Sequence, residues 1–156
     1  MIGLNQLAKY FRQVQEKISG INSFALVFSQ ENFTELVKNY VKTDYPVLIV
    51  VIPGAKTVAP DEDNIRDASN CLIFLLEALD LKNLQKNELF TRMGISQDLM
   101  EKVKRQMIDD KHDHAEAGHL MHDLEPGSLI TEPEYNFVGT YGWSLTFTLN
   151  PPFTQP

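Results

Sequence analysis

A single cysteine, Cys71, in 156 residues leaves no partner for an internal disulfide and excludes any multi-cysteine zinc site. Cations are scarce: 14 Lys and Arg stand against 21 Asp and Glu, a formal charge of -7. Phosphate neutralisation needs clustered cations, so a chain that repels polyanions on average is no general nucleic-acid binder. Long apolar runs are missing as well. The two longest, Val47 to Ile52 and Cys71 to Leu76, fall well short of the ~20 residues needed to cross a bilayer. Lys9, Arg12, Glu16 and Lys17 interrupt the N-terminal stretch, so it has no signal-peptide core, and a soluble protein without a membrane partner is expected. There is no repeat of fixed period and no linker-like bias. With 43% hydrophobic and 22% charged residues, the chain reads as one globular domain over 1–156.

What is present is hydrophobic patterning. Leu4, Leu7, Phe11, Val14 and Ile18 recur at steps of three and four, which predicts an amphipathic helix over 4–19 with Gly20 just beyond its C-cap. Phe24 to Phe28 is apolar on both alternating faces and predicts a strand covered on both sides. Ser29 is placed to cap a second helix carrying Phe33, Leu36, Val37, Tyr40 and Val41. Val47 to Ile52, bounded by Pro46 and Pro53, predicts a central buried strand. The polar stretch 55–67 reads as an exposed loop or the tip of a long hairpin. CLIFLLEALD (71–80) suits a buried helix or a strand, and the neighbouring hairpin favours a strand paired with Val47 to Ile52. A helical region is expected over 83–114, broken at Gly94, with Ser96 capping a second half that carries Ile95, Leu99, Val103 and Met107. The acidic, histidine-rich segment 109–125 reads, between Lys111 and Glu125, as a loop or fraying helix end. Strict alternation from Tyr141 to Leu149 predicts a strand with one aromatic face, paired with Leu129 to Thr131 through a connection over 133–138. The Pro-rich tail 151–156 is expected to be extended and available to another chain. The order α-β-α-β-β-α-β-β predicts an α+β domain, its helices packed on one mixed, largely antiparallel sheet.

Chemistry is harder to find. His112, His114, His119 and His122 fall within eleven residues, beside Asp109, Asp110, Asp113, Glu116 and Asp123. Imidazole and carboxylate are zinc or nickel ligands, so a metal-binding protein or metal-dependent enzyme is one reading. No His-Glu-x-x-His signature is present, however, and a solvated acidic loop accounts for the same residues. Cys71 lies in an apolar run, the setting of a structural cysteine rather than a nucleophile. Gly139 to Gly142 precedes a strand, whereas phosphate loops precede helices. Trp143 is a candidate for stacking, for an interface anchor or for the core. Lys102, Lys104 and Arg105 form the densest basic group, bracketed by Glu101, Asp109 and Asp110, as on a solvated helix face. No catalytic, cofactor-binding or metal residue is assigned on these grounds, and no enzyme is expected. A monomeric cytoplasmic adaptor is a further reading.

The element order, and the ending ITEPEYNF (130–137) followed by GTYGWSLTFTL (139–149), resembles small structural proteins of phage tails, closest in layout to tail terminator (tail completion) proteins. The resemblance implies a virion protein with no active site and no cofactor, assembled in the host cytoplasm. It also implies a homo-oligomeric ring, typically of six copies, that caps the tail tube and joins it to the neck of the capsid. DNA would pass such a ring without specific binding, and a charge of -7 per copy, multiplied by ring symmetry, suits a conduit that must not grip its cargo.

Overall fold

The computed structural model describes residues 1–78, 80, 85–115 and 119–152. Three helices pack on a six-stranded mixed sheet, an α+β fold. The helices are α1 (Leu4–Lys17), α2 (Gln30–Asn39) and α3 (Lys86–His112). The strands are β1 (Ser23–Val27), β2 (Val47–Val51), β3 (Lys56–Val58), β4 (Arg66–Ala78), β5 (Ile130–Phe137) and β6 (Thr140–Leu149). The sheet runs β1-β2-β4-β6-β5, with β3 pairing the start of β4. Among the described residues only β1 and β2 are parallel, joined through α2; the remaining pairs are antiparallel. Among the described residues no helix is long and apolar enough to cross a membrane.

The apolar run at β2 and the ambiguous run in β4 have one cause. Both strands are buried on both faces, so neither shows alternation. On one face Leu48, Val50, Ile73, Leu75, Leu145 and Phe147 meet Leu7, Phe11 and Val14 of α1 and Met100, Val103 and Met107 of α3. On the other, Ala25, Val27, Val47, Ile49, Phe74 and Leu76 meet Phe33 of α2. This second layer is thinner, because Phe33 is the only buried residue of α2. Ser29 caps α2 as its position predicts, its hydroxyl accepting from the Asn32 backbone N–H at 3.1 Å. With so little burial holding the helix, Ser29→Ala should cost about 1 kcal/mol in a denaturant titration.

Several expectations are corrected. The first strand is not covered on both sides: Leu26 is 36% and Phe28 72% exposed, because β1 is an edge and α1 reaches only Phe24. The stretch 55–67 is not all loop, since Lys56–Val58 pairs with Arg66–Ala68 and makes the hairpin's stem, an element absent from the expected order. Gly94 does not break α3, and Ser96 is not a cap. The helix runs 27 residues without interruption, and Ser96 is buried, its hydroxyl donating to the Met93 carbonyl at 3.0 Å. A mid-helix glycine costs only ~1 kcal/mol, less than the packing of Leu99, Met100, Val103 and Met107 supplies. Ile95, expected on that buried stripe, is 58% exposed, and Val41 of the expected second helix is 61% exposed beyond its end.

The strand β5 extends through Pro133 to Phe137 rather than ending at Thr131. An edge strand tolerates proline, and β5 is the far edge of the sheet. The histidine-rich segment holds the end of α3 up to His112, but its later part is not a solvated loop, because Met121 and Leu124 are buried in the main core. Nor is the start of the tail available to another chain. The Asp67 N–H donates to the Pro151 carbonyl at 3.1 Å, and Pro152 bridges Arg66. Residues 153–156 lie outside the described residues.

At the base of the β3–β4 hairpin the Met1 ammonium lies 2.5 Å from Asp67 and the Thr57 hydroxyl donates to it at 2.8 Å. These donors, the ammonium first, hold the Asp67 carboxyl below its usual range. A depressed folded-state value contributes stability above the unfolded value and loses it as pH falls through the folded one. Asp67→Asn should therefore lower the melting temperature at neutral pH, and the gap from wild type should close as the buffer is acidified.

Candidate functional site

The fold gathers three of the four histidines. The ring centroids of His114 and His122 are 6.2 Å apart, and those of His119 and His122 are 5.7 Å apart. The nitrogens of His119 and His122 do structural work. His119 Nδ1 accepts the Met121 N–H at 3.1 Å, capping a 3-10 turn over Leu120–Asp123, and His122 Nε2 lies 2.6 Å from the Asp113 carbonyl. The Tyr10 ring meets His119 edge-on at 5.3 Å, and the Tyr10 hydroxyl donates to Asp110 at 2.8 Å. Among the described residues, no three His, Cys, Asp or Glu side chains are placed to hold one metal ion. Glu116 lies outside the described residues.

The other candidates of the sequence are placed as follows. Cys71 is buried, its thiol 3.8 Å from the Ser69 carbonyl, and burial pushes that thiol up to about 12. A protonated, enclosed thiol is a poor nucleophile at neutral pH. Gly139 carries φ 73 in the tight β5–β6 turn, and Gly142 lies inside β6. Trp143 packs against the main core and donates its indole N–H to the Met93 carbonyl at 3.0 Å, pinning the N-terminal half of α3 to the sheet. Lys104 is held by Glu101 at 2.6 Å and by Thr131 at 3.3 Å.

Two surface features were not legible as motifs. The first is a cavity of about 670 Å³ between α2, the end of β4 and the start of α3, lined by Tyr40, Tyr45, Lys42, Asp80, Glu77 and Arg92. Behind it the buried Tyr141 hydroxyl donates to Glu77. Burial, and then the neighbouring Glu77 carboxylate, keep that phenol protonated well above its ordinary range. Arg92 in turn pairs with Glu88 at 3.1 Å. The single hint in the sequence was Glu77, a lone charge inside an apolar run.

The second feature is an apolar groove of about 280 Å³ beside β1, lined by Val27, Phe33, Val51, Leu72, Phe74 and Phe137. Phe74 and Phe137 stack at 5.3 Å with 17° between ring planes. The exposed Phe28 follows directly on β1. The two edges of the sheet are thus unlike. The β5 edge carries Glu132, Pro133 and Glu134 and an irregularity between Tyr135 and Phe137, all devices that discourage further pairing. The β1 edge has no charge, no proline and two exposed apolar side chains, Leu26 and Phe28.

No family model and no curated protein matches the chain.

Proposed function

We propose that the chain is a virion structural protein, a ring subunit of the tail terminator or neck kind that joins the tail tube to the capsid connector. The observation that carries this reading is the asymmetry of the sheet: one protected edge, and one uncharged apolar edge bordered by an apolar groove. The open β1 margin offers one docking surface; where it meets a different surface of the next copy the contact is head to tail, and such contacts close into rings when the rotation per copy allows it. The charge of -7 per copy makes such a ring repellent to DNA in its lumen, as a conduit requires. The resemblance of the α-β-α layout and the terminal strand pair to tail completion proteins points the same way.

The test is imaging. Negative-stain micrographs of the purified protein, alone and mixed with the tail-tube protein of the same particle, should show uniform rings or tube ends capped by them. Monomers in both preparations would remove the proposal.

A further inference from the structure

Lys102 and Arg105 belong to the densest basic group of the sequence, and the fold brings a distant third cation to them. Lys17 at the C-terminal end of α1 meets Lys102 and Arg105 of α3 at a groove of about 350 Å³ that also includes Ser19 and Gln106. Among the described residues Asp109 is the one carboxylate on its rim. Among the described residues none of the three cations has a carboxylate within salt-bridge distance, in contrast to Lys104 and Arg92. On a chain of net charge -7, three exposed and unpaired cations converging from two helices make a local exception.

The complementary feature is at the other end of the molecule. The β3–β4 hairpin carries Asp61, Glu62 and Asp63 at its tip, all exposed. The tip has a defined turn, because Asp61 Oδ1 accepts the Asp63 N–H at 3.1 Å and the Asp61 carbonyl accepts the Asn64 N–H at 3.3 Å. Its stem is fastened at Asp67 to Met1, next to the N-terminal end of α1. The 14 residues of α1 place the basic groove about 21 Å along the helix from that point. The tip therefore springs from one end of α1 while the groove lies at the other, and the two are placed to meet between molecules.

From this charge complementarity we infer that the acidic hairpin tip of one copy docks into the Lys17–Lys102–Arg105 groove of a second copy. The contact joins different surfaces, so it is heterologous and propagates around a ring. It rests on the ring reading above and names one of the surfaces that builds it. The interaction is between exposed charges, so added salt weakens it.

Charge reversal tests it, with mass photometry and negative stain as readouts and thermal melting to confirm folding. Four proteins are compared: wild type, Lys102→Glu/Arg105→Glu, Asp61→Lys/Glu62→Lys, and the protein carrying all four changes. Wild type should assemble, each double variant should fold normally yet lose assembly, and the quadruple variant should regain it because its tip and groove again have opposite charge. Rings that persist in both double variants overturn this docking contact while leaving the ring reading intact. Failure of the quadruple variant to reassemble overturns the pairing of these two surfaces. A wild type that never assembles removes both.

Discussion

Gly142→Ala should leave almost no folded protein in the soluble fraction. Gly142 sits in β6 opposite Leu76 of β4 and Glu134 of β5, in the interior of the sheet. A Cβ built there would lie 2.0 Å from the Leu75 carbonyl oxygen and 3.0 Å from the Leu75 carbonyl carbon. Both atoms belong to the backbone of a central strand that is hydrogen-bonded on both sides, so neither can move without breaking the ladder. Its φ of 149° adds a conformation that side-chain-bearing residues rarely adopt. Overpacking and backbone strain together amount to about 4 kcal/mol or more, a large part of the stability of a domain this size. Gly139→Ala is the control. It also has positive φ, at 73°, but nothing lies within 4 Å of its added methyl, so only conformational strain of about 1–2 kcal/mol applies. Soluble yield and urea midpoints of the two variants should therefore differ sharply, and equal behaviour would falsify the account of Gly142.

The second large effect is expected where the sequence suggests almost none. Met121 lies in the most polar segment of the chain, between His119 and His122, yet it is fully buried in the main core with Leu124. Met121→Ala should cost about 2–5 kcal/mol, the range for truncating a buried large side chain. A substitution in a solvated acidic loop would stay within ~0.5 kcal/mol. His114→Ala is the comparison, since that residue is exposed and should change the denaturant midpoint little. A Met121 variant as stable as wild type would mean that the segment does not dock on the core.

Much of the fold could be read from one sequence because its strongest signals are local. The alternation of Tyr141 to Leu149, the β-branched run of β2, the α1 stripe and the Ser29 cap each depend on neighbours within a few residues. Of the 71–80 run, 71–78 resolves as strand, as its hairpin neighbour suggested, because β2 and β6 flank it on both sides. The misread parts depend on distant residues. Gly94 stays helical because the Trp143 indole and the buried second half of α3 hold the helix across it. Pro133 stays in a strand because β5 is an edge, a fact of topology and not of composition. The convergence of Lys17 with Lys102 and Arg105, or of Glu77 with Tyr141, joins residues more than sixty positions apart and leaves no motif behind.

The uninterrupted α3 has a mechanical consequence. Its 27 residues make a rod about 40 Å long, fixed near one end by Trp143 at Met93 and near the other by Tyr10 at Asp110. A stiff rod held at two points cannot bend to absorb a local push. The two anchors fix the direction of α3 as well as its position, so Arg92 at one end and the surface that bears Lys102 and Arg105 keep a constant spacing.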